Sequence, residues 1–385
     1  MHLITKDLYS KINNISKKKI IPLHNPVFDK KEMISLQNCI KSTFVSTSGK
    51  DIDLFEEKIK NFTKAKYSIA VVNGTSALFL ICKTLGINSN HEVLVPSMTF
   101  IGTVNAISYC GATPHFVDST YADMGIDFKK LDLYLSKIVQ IKKNHSINKK
   151  TKKIIKFIMP VHLFGHPCNI SDCLNLSKKY KLTIIEDAAE ALGSYYKNMH
   201  VGTFGIAAAF SFNGNKIITT GGGGAIITNS KKIADFVRHI SSTAKVKNKN
   251  LELSHDMIGY NFKLPNLNAA LGCAQIGKIN RFIKNKRDLF RRYKKIFKNN
   301  KFFEIFEENK ISRSNYWLQA LLLKKKYSHH KKQIIYEMLK KGIEVRPVWQ
   351  LIHTLKPYTK TPKMNLSNSI DLQKRILTIP SSPDL

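Results

Sequence analysis

The stretch AAAFSFNGNKIITTGGGGAIIT, residues 207–228, reads as a small-residue strand ending at Ser211 and Phe212, a polar turn through Asn213, Gly214 and Asn215, then Lys216. Four consecutive glycines, Gly221 to Gly224, follow and lead into a second apolar strand. A lysine taken at random is a surface residue. Here the surroundings change that reading. Apolar strands on both sides, with a glycine run that lets backbone come close to a ligand, place Lys216 for burial. Desolvation favours the uncharged amine of a buried lysine, the form that condenses with a carbonyl to give a Schiff base.

Outward from this stretch, short apolar β-rich runs alternate with helical segments from about residue 66 to 230, which predicts an α/β sheet with helices on its faces. The candidate strands are 68–72, 92–95, 115–117, 154–161, 182–186, 207–212 and 224–228, giving a seven-stranded sheet. The basic segment KKNHSINKKTKK, residues 142–153, reads as a solvated surface loop. After Asn266 the pattern turns helical and basic, and short strands within 316–323 and 342–347 fit a smaller domain. The expected division is an N-terminal segment 1–45, a large α/β domain 46–262 and a small C-terminal α+β domain 263–385.

Three further motifs carry chemistry. In IAVVNGTSALFLICKTLG, residues 69–86, a strand runs through Asn73, Gly74, Thr75 and Ser76 into a helix expected near Ala77. Free N–H groups and the positive dipole end of such a helix suit a phosphate dianion, although Ser or Thr before a helix is more often an ordinary cap. LTIIEDAAEALGS, residues 182–194, brings Glu186 and Asp187 to the carboxyl end of a strand, where ligands of open α/β sheets sit. A buried carboxylate there needs a cationic partner, and a protonated pyridine nitrogen would be one; a plain acidic helix cap is the alternative. HDMIGYNFKLPNLNAALGCAQIG, residues 255–277, is a loop followed by a helix opened by Pro265 and rich in small residues.

Composition narrows the class. The 385 residues are 43% hydrophobic, enough for a substantial core, and no apolar run approaches a membrane span. The start MHLITKDLYSKINNISKKK lacks a signal-peptide pattern, so a cytoplasmic location is expected. Six scattered cysteines have no metal-ligand spacing, which predicts free thiols and no metal. Lys+Arg 62 against Asp+Glu 27 gives a net charge of +35, a value that a nucleic-acid binder would also show. The lysines are spread along the whole chain without a nucleic-acid motif, so only recruitment of anionic substrates is inferred.

Taken together, NGTSAL, VPSMTF, PVHLFGHP, EDAAEALGS, FSFNGNK with TTGGGGA, and GYNFKLPNLNAALG resemble the DegT/DnrJ/EryC1/StrS nucleotide-sugar aminotransferases across about residues 20–380. The resemblance implies the fold-type I architecture of pyridoxal-phosphate (PLP) enzymes, with a large mixed, mostly parallel sheet. It implies that Lys216 forms the Schiff base and shuttles protons, and that Asp187 pairs with the pyridine nitrogen. Phe100 would stack on the ring. Gly74, Thr75 and Ser211 would take the phosphate, with Asn261 reaching it from the second subunit of a homodimer, and Ser76 and Asn213 would be further cofactor-binding residues. Glu190 falls near the cofactor's phenolic oxygen, where many relatives have Gln or His, and Gly222 departs from the commoner GEGG wording.

With the start IPLHNPVFDKKE, residues 21–32, these departures resemble the branch that aminates UDP-linked 4-keto-6-deoxy-N-acetylhexosamines for bacterial surface sugars, with L-glutamate as donor. Asn25, His353 and Arg346 are the candidate substrate contacts. The forked donors of Arg346 suit an anion, and a surface ion pair explains that residue equally well. Relatives acting on dTDP- or GDP-linked sugars, at C3 or C4, and a non-catalytic PLP-binding regulator are the alternatives. Dehydratases of this fold replace the lysine with histidine, which Lys216 argues against.

Overall fold

The computed structural model describes residues 2–247 and 253–385. Its principal sheet runs Tyr67–Val71, Gly224–Thr228, Ala207–Ser211, Thr183–Asp187, Ile154–Ile158, His91–Pro96, Thr113–Val117 in spatial order. Gly224–Thr228 pairs antiparallel with both neighbours, and the remaining pairings along this path are parallel. Six strands therefore point their carboxyl ends to one side, the mixed, mostly parallel sheet that the family resemblance implied. Alternation sets the two faces. Ile69, Val71, Ala207, Ala209 and Ile226 enter one core, while Ala70, Ala208, Phe210, Ala225 and Ile227 enter the other.

The first core is closed by the helices Gly74–Thr84, Ile101–Tyr109, Phe128–Ile138, Ile170–Tyr180 and Lys231–Ser241. The second is closed by Lys50–Thr63 and Asn266–Ile276, whose mutual approach depends on Gly272: a Cβ there would lie 2.6 Å from the Phe55 ring. A four-stranded antiparallel sheet, in the order Phe303–Ile305, Gln319–Leu323, Ile376–Ile379, Arg346–Pro347, forms a second layer. The N-terminal helix Leu3–Asn13 packs with that sheet through Ile4, Leu8 and Ile12. The long helix Ile279–Ile296 joins the two layers, with Phe282 and Ile283 in the principal core and Leu289 and Tyr293 in the smaller one.

Two local expectations are corrected. The helix after Asn73 begins at Gly74, three residues before Ala77, because the Asn73 side chain accepts from Ser76 N and closes the first turn itself. The segment 142–153 is not a plain loop: Val139–Lys142 and His145–Asn148 form a hairpin whose second strand joins Ile154–Ile158 at Ile147. Its polar residues disguise it because they serve a buried carboxylate. Glu92 is fully buried and accepts from Asn148 Nδ2 at 2.9 Å and from His115 Nδ1 at 2.8 Å.

Buried histidines make this fold acid-sensitive. His166 is 2% exposed between the rings of Phe306 and Tyr316, neither ring nitrogen has a hydrogen-bond partner among the described residues, and burial lowers its pKa to about 3. The folded state thus binds fewer protons than the unfolded chain between about pH 3 and 6.5, so stability from neutral His166 is present above 6.5 and lost as pH falls below it. At pH 5 the loss is about 2 kcal/mol. His166→Phe keeps the ring packing, so its urea midpoints at pH 7.5 and 5 should give a drop smaller than the wild type's by about that amount. Equal drops would refute the assignment.

Candidate functional site

The carboxyl ends of the parallel strands open onto a cavity of about 400 Å³ lined by Gly74, Thr75, Phe100, Asp187, Glu190, Ser211, Asn213, Lys216 and Arg346, among others. A groove of about 980 Å³ beside Leu85, Ile206, Ile233 and Phe236 is larger, but its titratable groups include a solvated Lys231–Asp235 ion pair and no buried acid or base. The smaller cavity instead brings two buried acids, Asp187 and Glu190, and the part-buried Lys216 amine together at a helix N-terminus. Nine sequence-selected residues thus meet there, drawn from five separate stretches of the chain.

Each is placed by local structure. Gly74 and Thr75 open their helix, where first-turn N–H groups have no intrahelical acceptor. A Cβ on Gly74 would lie 3.0 Å from Ser211 Cβ, so glycine lets the helix end and the Ala207–Ser211 strand end touch. Phe100 is the N-cap of Ile101–Tyr109, half exposed at the cavity mouth. It packs against Gly102, where a Cβ would meet Thr75 Oγ1 at 2.5 Å.

Strand alternation separates the two acids. Glu186 turns away from the cavity and accepts from His162 Nε2 and from the N–H groups of Gly202, Phe204 and Gly205 at 2.7–3.0 Å. Burial works against its charge, but those donors outweigh burial and hold its carboxyl below the usual range. Glu186 is structural. Asp187 faces the cavity with two donors, Thr103 Oγ1 at 2.7 Å and Ala189 N at 3.1 Å. Burial pushes its carboxyl up despite them and despite the Lys216 charge. The same cause raises Glu190, which accepts from Phe164 N at 2.7 Å and from Lys216 Nζ at 3.4 Å.

Lys216 is part-buried. Its Nζ lies 3.9 Å from the centroid of the Trp317 ring, between that ring and Glu190. Arg346 lines the cavity and bonds Glu344 through Nε at 2.7 Å, so the ion pair is present beside the place where an anion was expected.

Four sequence-selected residues lie elsewhere. Ser76 lines a neighbouring hollow with Phe79, Tyr109, Tyr260 and Phe262, and its N–H is taken by Asn73. Asn261 is exposed, in a bridge with Ser242. Asn25 is exposed and donates its N–H to Ser382 Oγ, while His353 Nδ1 is paired with Ser97 Oγ at 2.7 Å. Conversely, Thr103, Trp317 and Trp349 line the cavity without having been singled out. Two of them had a signal: Trp317 and Trp349 are the chain's only tryptophans.

The donor set fits pyridoxal phosphate. A carboxylate that burial destabilises faces the cavity and would be relieved by a ring N–H⁺. An amine stands nearby for the aldehyde, a helix N-terminus suits the phosphate, and Phe100 suits the ring face. Among the described residues no cluster of His, Cys, Asp and Glu is arranged to hold a metal ion, and no helix is long and apolar enough to cross a membrane.

Comparisons with known proteins agree with this chemistry. The sequence profile of the DegT/DnrJ/EryC1/StrS aminotransferase family matches residues 26–385. The GDP-perosamine synthase of Escherichia coli O157:H7 is 38% identical over 95% of this chain and 94% of its own. A UDP-4-amino-4,6-dideoxy-N-acetyl-β-L-altrosamine transaminase of Campylobacter jejuni is 29% identical over 93% and 91%. The structure of Helicobacter pylori PseC, an aminotransferase of pseudoaminic acid biosynthesis, superposes with a TM-score of 0.85 at 26% identity, covering 95% of each chain. With an amine, buried acids and a helix N-terminus gathered in one cavity, the chain belongs to the DegT/DnrJ/EryC1/StrS family and is a pyridoxal-phosphate-dependent nucleotide-sugar aminotransferase.

Proposed function

We propose that this enzyme transfers the amino group of L-glutamate to a GDP-linked 4-keto-6-deoxy sugar. What supports the nucleotide is the similarity over nearly the whole chain to proteins named for a GDP-linked amino sugar, at 38% and 35% identity. The UDP-linked N-acetylhexosamine expected from the sequence is the second reading, favoured by the 29% identical transaminase and by the PseC superposition.

Bound pyridoxal phosphate supplies an aldehyde carbon that receives nitrogen and a ring that takes up electron density from the substrate carbon. The chain's own groups do the rest. Gly74, Thr75 and Ser211 anchor the phosphate with backbone and hydroxyl donors, and Asp187 keeps a proton on the ring nitrogen. Lys216 Nζ, once free of the cofactor, would carry the proton from the glutamate α-carbon to the cofactor's aldehyde carbon and, in the second half, from there to the sugar carbon that receives nitrogen, from a post beside Glu190. Glutamate leaves as 2-oxoglutarate before the keto-sugar enters the same cavity, so kinetics are ping-pong. Arg346 at the cavity wall takes a diphosphate or carboxylate once it leaves Glu344. Asn261, exposed in the single chain, serves the phosphate of a second subunit in a homodimer.

Offering purified enzyme and glutamate a panel of GDP-, UDP- and dTDP-linked 4-keto-6-deoxy sugars, with products identified by mass spectrometry, decides the substrate. The expected result is kcat/KM for the GDP sugar about a hundredfold above the others. Preference for a UDP sugar would replace the first reading by the second, and turnover of none would refute both.

A further inference from the structure

We propose that Trp317 is a positioning residue for Lys216: its indole N–H fixes the turn that carries the lysine, and its ring face holds the lysine side chain against the cavity. The inference rests on the reading of Lys216 as the amine that engages the cofactor.

Three observations converge. Trp317 Nε1 donates to the carbonyl oxygen of Asn215 at 2.6 Å, the residue immediately before Lys216. The ring of Trp317 lies under Lys216 Nζ at 3.9 Å from its centroid, with the Glu190 carboxylate 3.4 Å from the same nitrogen, so two partners of different chemistry define where the amine sits. Trp317 also lines the cavity while being only 3% exposed, so its position is set by packing.

Trp317 is itself held on both sides of its backbone. Its N–H goes to Asn315 Oδ1 at 2.8 Å, and Asn315 Nδ2 donates in turn to the carbonyl oxygens of Glu190 and Leu192, each at 2.9 Å. One buried amide therefore ties the tryptophan to the loop that carries Glu190. The Trp317 carbonyl accepts from Lys286 Nζ at 2.9 Å, and Lys286 also donates to the carbonyl of Ser381. Lys286 is fully buried, forms no ion pair among the described residues, and burial holds its amine well below the ordinary lysine range. A lysine kept at that cost fastens the second layer's Trp317 segment in place. A tryptophan needed only to fill the core would find an acceptor anywhere; this one reaches across layers to the turn that carries the amine.

Holoenzyme carrying Trp317→Phe or Trp317→Leu tests the proposal. Phenylalanine keeps the ring face and loses the N–H donor: kcat should fall about tenfold, KM for the keto-sugar should stay within about twofold, and bound cofactor should dissociate about tenfold faster. Leucine also loses the cation–π face, so kcat should fall about a hundredfold and the pH dependence of the bound cofactor's absorbance should be displaced from that of the wild type. Variants that melt at lower temperature but keep wild-type kcat, cofactor release and absorbance–pH profile would assign Trp317 to packing alone and overturn the proposal. Lys216→Ala is carried alongside, because a borohydride-trapped cofactor in that variant would show that the Lys216 reading has failed, whatever Trp317 does.

Discussion

Lys216→Ala is expected to abolish amino transfer while leaving a folded protein. The side chain is part-buried, its contacts are a ring face and a carboxylate 3.4 Å away, and neither is a core-packing interaction. Removing the lysine side chain takes away one partner of Glu190, whose carboxyl burial already pushes up, and the Phe164 N–H at 2.7 Å remains to satisfy it. The cost to folding is therefore about 1 kcal/mol or less. The cost to catalysis is of another order, because the residue that removes and returns the proton is gone: turnover should fall at least about ten-thousandfold. Steady-state rates and urea midpoints measured on the same preparation separate the two. A variant retaining more than a few per cent of turnover would refute the role.

Asp187→Asn carries the second large effect, and its sign on stability is opposite to intuition. The carboxylate is buried with two hydrogen-bond donors, and burial raises its pKa, so its charge is a burden to the empty fold above the ordinary carboxylate range. An amide of the same shape keeps the Ala189 N–H partner without that charge, so at pH 7.5 the variant should be at least as stable as the wild type. That advantage should vanish as pH falls and the wild-type carboxyl takes its proton. Turnover should nonetheless fall about a thousandfold, about 4 kcal/mol in activation free energy, because a neutral partner no longer holds the ring nitrogen protonated. Destabilising an empty fold to serve a ligand is the usual bargain at a functional site. Equal rates in the two proteins would exclude the ring-nitrogen role.

The contrast between what the sequence disclosed and what it concealed has physical causes. The strands of the principal sheet were legible because parallel strands covered on both faces read as short apolar runs, as in Val93–Leu94–Val95 or Ile184–Ile185. The hairpin at 139–148 was concealed because Ser146 and Asn148 are buried for their hydrogen bonds to the Tyr180 carbonyl and Glu92, so burial and hydropathy part company there. The near half of the site was legible for a similar reason. Gly74, Thr75, Asp187 and Ser211 stand at strand ends or helix starts, and Lys216 in the turn after Ser211, with signals that lie within a few residues.

Between Glu186 and Asp187 the residue pattern alone did not decide and the resemblance named Asp187; the strand's two-residue period supplies the physical reason, turning Glu186 to His162 and backbone donors and Asp187 to the cavity. The far wall was beyond reach. Trp317 and Trp349 come from over a hundred residues downstream in the second layer, and no local pattern connects them to Lys216. Asn25, Asn261 and His353 entered through resemblance, and the single chain places them outside the cavity.

Borohydride reduction of the cofactor-loaded wild-type enzyme, followed by proteolysis and mass mapping of every lysine-containing peptide, addresses the chemistry most directly. One pyridoxyl group per chain, on the peptide carrying Lys216, is the expected result. Label on any other lysine, the buried Lys286 included, or no label from a preparation that turns over, would contradict the assignment on which the site rests.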